Sequence, residues 1–385
     1  MSAASVLAAA VGVGRFAFTP ILPLMQSQAG VSAQLGATMA TSNYVGYLAG
    51  ALAVMIVPRL ARSAWVVRIG AASVVVSLGL MPLATSPGVW VVLRGIAGAG
   101  SALMFVAAAG AVLSGVSRQS RHLVGWAYGG VGAGIALSGA TLLLVSMIGD
   151  WRTAWLAATV LAAGLCALGW NLIRPADAES SSPDDLRVVD RPQRWFVPLV
   201  VAYFLEGVGY IVAGTFLVAA VTQAVPGPVG KATWIVVGIT ALPSCVLWAS
   251  LSARLSHPAL LTVALGLQAV GIVLAGLDLG LAGALVAAVL FGGTFMGATT
   301  LALDAGRHLQ VPAAVAILSA AYAIGQAIGP IAVAPLLADG FRPALLLAGG
   351  IVASAAVVSL LLRIRFPRPR VTTTPATDAE PVLNP

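Results

Sequence analysis

Charge is what this chain lacks. Only 8% of its 385 residues are Asp, Glu, Lys or Arg, against about 25% in an ordinary soluble domain. With 59% hydrophobic residues and a mean hydropathy of +1.00, it cannot cover its surface with charge. Length alone suggests about two or three soluble domains; the composition replaces that expectation with a polytopic membrane protein. Cysteine is nearly absent. Cys166 and Cys245 each sit in an apolar run and no C-x-x-C occurs, which argues against a disulfide framework or a zinc site and leaves two inert buried thiols. H-E-x-x-H, G-x-S-x-G and Walker A motifs are missing too, so hydrolysis and ATP drive lack support and no catalytic residue is assigned. Gly12-x-Gly14-x-x-Ala17 fits a loose dinucleotide pattern. It lies inside an apolar run with no strand before it and no acid at the needed distance, which argues against nucleotide binding. The start of the chain has no basic n-region and stays apolar to about Leu24, so it reads as a retained first helix and not as a signal peptide.

What is present is long apolar runs. A helix needs about 20 mostly apolar residues to cross the hydrocarbon core, and twelve segments qualify: 4–27, 36–57, 66–84, 88–114, 123–147, 153–173, 195–221, 233–251, 259–277, 281–303, 312–337 and 343–362. The runs are continuous, which excludes a β-barrel with its alternating segments of about ten residues. The 43 glycines and 22 prolines are compatible with membrane helices, where the backbone has no competing solvent. The longest polar stretch, 174–194, holds five acids with Ser180-Ser181-Ser182-Pro183 and divides the spans six and six. The expected organisation is therefore all-α: a six-helix bundle over 1–173, a cytoplasmic linker over 174–194, a second six-helix bundle over 195–366, and a disordered Pro/Thr-rich tail over 367–385.

An even number of spans puts both termini on one side. With the termini inside, fifteen of the 20 basic residues fall on cytoplasmic segments, among them Arg59, Arg62, Arg118, Arg187, Arg254 and Arg363. Only Arg152, Lys231 and Arg342 fall on outer loops. This is a positive-inside pattern. It also accounts for the net charge of +8 without any nucleic-acid partner. The expected partners are the bilayer and a small molecule, with the chain a monomer and no metal or cofactor; a proton gradient is the expected energy source.

The halves resemble each other at an offset of about 190–195. Gly12-Val13-Gly14-Arg15-Phe16 matches Gly207-Val208-Gly209-Tyr210-Ile211, Ala127-Tyr128 matches Ala321-Tyr322, and Trp151-Arg152-Thr153-Ala154-Trp155 matches Phe341-Arg342-Pro343-Ala344-Leu345. Two parallel repeats imply a pseudo-twofold axis along the membrane normal, the symmetry of carriers that rock two halves about a midplane site.

Three charges lie well inside spans: Arg15, Arg94 and Glu206. Each costs roughly 2.5–3.5 kcal/mol at a helix centre on insertion scales, so each is expected to face protein or a water-filled cavity. Arg15 lies about 18 Å into its helix at 1.5 Å per residue, near the midplane, and Glu206 lies at a similar depth. By the repeat, Glu206 corresponds to position 11, one turn from Arg15. One reading has them line a cavity, Glu206 as the titrating group and Arg15 as an anion anchor or the partner of Glu206. The other is a structural ion pair locking spans 1 and 7. Arg94 opens Arg94-Gly95-Ile96-Ala97-Gly98-Ala99-Gly100-Ser101, where small residues permit close contact; proton coupling and structural anchoring both fit it. Asn43, Gln326, Tyr44, Tyr47, Tyr128, Tyr203, Tyr210, Tyr322 and Trp126 are polar or amphipathic residues inside spans, open to ligand contact or to interhelical hydrogen bonding and packing. Pro20 and Pro23 are expected to kink or unwind the first span just past Arg15. Gly325-x-x-x-Gly329-Pro330 reads as a flexible, close-packing gating element.

Twelve spans, a six-plus-six repeat and a central linker resemble the major facilitator superfamily. Arg94-Gly95-x-x-Gly98-x-Gly100 resembles its span 4 motif, associated with proton-coupled members. Gly325-x-x-x-Gly329-Pro330 resembles its span 5 antiporter motif but lies in span 11. Pro58-Arg59-Leu60-Ala61-Arg62 keeps the basic residues of its loop 2–3 motif without the acid. Gly12-x-Gly14-Arg15-Phe16-x-x-Thr19-Pro20-x-x-Pro23-Leu24-Met25 and Tyr203-x-x-Glu206-Gly207-x-Gly209-Tyr210-Ile211 are similar to the YbfB/YjiJ-type branch. The resemblance implies a bacterial inner-membrane transporter, not an enzyme. The expectation is a secondary carrier of a small organic molecule, proton-coupled and exporting; the alternative is a non-transporting sensor or assembly partner.

Overall fold

The computed structural model describes all residues except 1, 58, 61–62, 115–120, 171–192, 226, 253, 278, 365 and 368–385. The expected linker 174–194, apart from Gln193 and Arg194, lies outside the described residues. So do the expected tail 367–385, apart from Pro367, and Pro58, Ala61 and Arg62 of the loop 2–3 motif.

Among the described residues every regular element is helical. In chain order these are α1 (Ser2–Leu7), a π-helical segment (Ala8–Val13), α2 (Phe18–Ala29), α3 (Ala33–Ile56), α4 (Ala64–Leu80), α5 (Pro87–Ser114), α6 (Arg121–Ile148) and α7 (Trp151–Gly169). The second half holds α8 (Gln193–Ala224), α9 (Pro228–Ser252), α10 (His257–Gly276), α11 (Gly280–His308), α12 (Ala314–Val333) and α13 (Phe341–Leu360). Local chemistry marks the ends. Ser32 caps α3 by accepting from Leu35 N at 3.1 Å. Asp150 caps α7 by accepting from Thr153 N and Oγ1, each at 2.8 Å, and these bonds hold its carboxyl below the ordinary aspartate value. Gly30 ends α2 at φ 66°, returning its N–H to Met25 O, a left-handed cap that favours glycine.

Among the described residues, eleven helical segments are long and apolar enough to cross a membrane. They correspond to all the expected spans but the third. That one, expected over 66–84, is α4, with 17 residues. At 1.5 Å per residue it is about 26 Å long, short of a core of about 30 Å, because the chain turns at Met81–Leu83. The first span is not one regular helix. Its irregular stretch runs from Ala8 to Ala17, beginning seven residues before Arg15 and ending two past it, upstream of the prolines rather than at them. Pro20 falls in the first turn of α2 and Pro23 inside it.

Packing partners recur between the halves. α3 and α4 both pack on α5, and α9 and α10 both pack on α11. The π-helical segment lies against α6 as α8 lies against α12; α4 meets α7 as α10 meets α13. Contacts across the halves recur too. The α6–α9 contact becomes the α12–α3 contact when the halves exchange places, and α2 meets α8 directly.

Candidate functional site

The irregular first span is held open by Arg94. This side chain on α5 is 1% exposed. Its Nη1 donates to Gly14 O at 3.2 Å and its Nη2 to Arg15 O at 3.0 Å, two carbonyls in the turn between the π-helical segment and α2. Phe18 and Trp155 present ring faces to the guanidinium at 4.9 and 5.9 Å. Asn43 donates from Nδ2 to Arg94 O at 2.9 Å, tying α3 to α5. Of the two readings of Arg94, this geometry is that of an anchor: it satisfies backbone that has lost its helical partners. Asn43 belongs to the same brace.

Past that turn the Arg15 side chain enters a ring of aromatic faces. Its guanidinium carbon is 4.3 Å from the Tyr47 ring centre, 5.1 Å from Tyr44 and 5.4 Å from Phe16. Nη2 donates to Gln326 Oε1 on α12 at 3.0 Å, while Nε has no hydrogen-bond partner. The residue is 6% exposed. Tyr44 continues the link to the second half, its hydroxyl 3.2 Å from Thr215 Oγ1 on α8. Thr19 donates to Gly214 O, joining α2 to α8 at positions 195 apart, the same offset that relates Gly12 to Gly207. Contact between equivalent positions of a twofold repeat falls on its axis.

Glu206 on α8 is fully buried. Its Oε1 accepts from Gln268 Nε2 on α10 at 3.4 Å. Tyr322 on α12 also reaches the carboxyl, but Oε2 lacks a partner at hydrogen-bonding geometry. A slab of stacked rings surrounds it: Tyr203 on Tyr322 at 4.4 Å and 9°, Tyr210 on Tyr322 at 5.9 Å, and Tyr210 on Phe295 and Phe291 at 5.5 and 5.7 Å.

Arg15 and Glu206 are not an ion pair. The salt bridge found among the described residues is Arg307–Asp304, on the exposed end of α11. Tyr210 is the residue that feels both charges. Of the other expected residues, Tyr128 stands apart from Glu206, in a half-buried string with Phe105 and Tyr47 whose ring centres are 6.2 and 6.3 Å apart. Trp126 is 52% exposed and faces outward. Gly325 and Gly329 lie against the α8 backbone at Phe204 and Val208, and Gly130 and Gly134 lie in the same way against Ala4 and Ala8. The glycine motif with Pro330 is thus a packing seam between α12 and α8. Gln268 went unnoticed in the sequence; the rule that picked out Asn43 and Gln326, an amide mid-span, applies to it equally. Two clefts, of about 360 and 190 Å³, lie elsewhere, where α2 and α8 end, lined by Gln26, Ser27, Thr222 and Gln223 and by Gln223, Phe341 and Arg342. None of the three interior charges, Arg15, Arg94 and Glu206, lines them.

Long apolar helices packed in a repeated pattern, with charged side chains buried among them, define a multi-pass membrane protein. The chain belongs to the major facilitator superfamily, in the family described as uncharacterised MFS-type transporter YbfB, which matches residues 7–360. It is therefore a transporter by family. Comparison with curated proteins gives no match.

Proposed function

We propose that this transporter is a secondary carrier of a small organic molecule, working by alternating access of two six-helix bundles and coupled to protons through Glu206. The observation that carries the reading is the setting of that carboxyl, fully buried, with a neutral amide and tyrosines around it and one oxygen unpartnered. A carboxyl that faces no cation can exchange a proton without first breaking an ion pair, and ionisable groups inside membrane helices mark such relays. Arg15, Gln326, Tyr203 and Tyr210 would line the path with it; Tyr128 would stand at its entrance. The positive-inside pattern supports cytoplasmic termini in a bacterial inner membrane, and in that orientation the α2–α8 crossing would close the outer side. Export is the direction suggested by the resemblance to antiporters.

Proteoliposomes with an imposed pH gradient test this. Pools of small molecules that collapse the gradient identify substrate-linked proton flux. Glu206→Gln keeps the acceptor for Gln268 and should fold normally yet lose the pH dependence of flux. Unchanged pH dependence refutes the proton role, and binding without flux favours a sensor.

A further inference from the structure

We infer that the Arg15 site recognises an organic anion: a carboxylate, or an equivalent planar acid group, joined to a flat aromatic body. The inference rests on the carrier reading above and names its class of cargo.

The interior holds two cations, Arg94 and Arg15, and among the described residues neither pairs with a carboxylate. Arg94 is enclosed at 1% exposure and its Nη groups are spent on two backbone carbonyls. Arg15 is less tightly held. It keeps 6% of its surface, and its partners are a neutral amide, Gln326, and the Tyr47 side chain rather than backbone carbonyls; the Nε of neither arginine has a partner. Glu206 does not pair with it: among the described residues no ion pair joins the two. The site therefore carries a surplus positive charge in a low-dielectric interior, where an incoming anion gains most. The rings of Tyr44, Tyr47 and Phe16 lie toward the guanidinium, and its in-plane N–H edge is the part that matches a carboxylate fork.

The body of the ligand follows from the walls. Tyr47, Phe105 and Tyr128 are only partly buried although each lies within a span. Tyr47 is close enough to both Tyr128 and Tyr203 to interact with each. These rings offer faces for offset stacking with a planar apolar group. A cation is the less favoured cargo. The rings around Glu206 already stack on one another at 4.4–5.9 Å, which leaves no cage for an ammonium, and an ammonium near Arg15 meets a like charge.

The test uses the full chain in nanodiscs, with empty nanodiscs as the blank for partitioning. Four probes are compared by thermal shift and direct binding: naphthalene-2-carboxylate, its neutral amide, naphthalen-2-ylmethylammonium, and the aliphatic propionate. The aromatic carboxylate is expected to bind at least about tenfold more tightly than the other three. Arg15→Gln should lose about tenfold or more of that affinity, and Arg15→Lys, which keeps the charge without the planar fork, should fall between the two. If Arg15→Gln does not fold, Tyr47→Leu and the ranking of probes on the wild type decide. Amide or ammonium binding as tight as the carboxylate, no carboxylate binding at millimolar concentration, or unchanged affinity in Arg15→Gln overturns the proposal. Carboxylate binding without flux would retain it while removing the carrier reading. Proton-coupled flux of an ammonium would do the reverse.

Discussion

Arg94 shows how a single residue can stay open between two roles when its partners are backbone atoms. Its sequence context resembles a motif linked to proton coupling, yet its Nη groups are occupied by the carbonyls of Gly14 and Arg15. Hydrogen bonds to a charged group are worth about 1.5–3 kcal/mol each. Removing both through Arg94→Gln should therefore cost roughly 3 kcal/mol or more, and Arg94→Lys, which can restore one, should fall between. The measurement is the unfolding temperature of purified protein, expected to drop by several degrees at every pH. A variant as stable as the wild type but lacking pH-dependent flux would return Arg94 to the proton path. Nothing in the residue order reveals those two carbonyls, because they exist only once the first span has left helical geometry. The cost of a charge in lipid did single out Arg15, Arg94 and Glu206, and all three are buried; what that rule cannot supply is the partner. It pointed equally to an Arg15–Glu206 ion pair, and the structure instead gives Arg15 a Gln and three rings and gives Glu206 another Gln.

At the level of elements, the helices were legible because hydropathy integrates over about 20 residues, and the seams were legible where glycines repeat. The α3–α5 contact is the sharpest case. A Cβ on Gly98 would overlap the Asn43 carbonyl, and one on Gly46 would overlap the Gly95 carbonyl, so each helix needs a bare backbone where the other crosses it. Gly98→Ala is expected to destabilise by about 1–3 kcal/mol, the usual range for overpacking, read as a lowered unfolding temperature. Gly164→Ala in α7 is the control, since nothing lies within 4 Å of its added Cβ; it should leave stability unchanged or slightly raised. Equal effects of the two would mean that the seam yields and that close approach there is incidental. The shortness of α4 and the π-helical start of the chain were not legible. The first depends on where the chain turns after Leu80, the second on tertiary bonds from α5, and neither leaves a hydropathy signal.

For the whole molecule, the relation between halves decides how it would move. α6–α9 and α12–α3 are the same contact under exchange of the repeats, and α2–α8 joins equivalent positions through Thr19 and Gly214. On the proposed alternating-access reading, the two halves would pivot about that axis, opening one end as the other closes. At the end where α2 and α8 finish, Gln26 and Ser27 share a cleft with Thr222 and Gln223, so a short tether between them would hold that end shut. Cysteines at Gln26 and Gln223, in a background with Cys166 and Cys245 replaced by Ala, can be joined by a bifunctional thiol reagent with a short spacer. Each single cysteine, treated with the same reagent, should retain flux in proteoliposomes. The joined pair should lose at least about nine-tenths of it, and reducing a cleavable tether should restore it. The aromatic string of Tyr47, Phe105 and Tyr128 lies away from the tether, so binding of an aromatic carboxylate from the opposite side should survive. Undiminished flux in the tethered protein would mean that this end never separates, and the halves would then have to admit their cargo by a route other than rocking about the Thr19–Gly214 crossing.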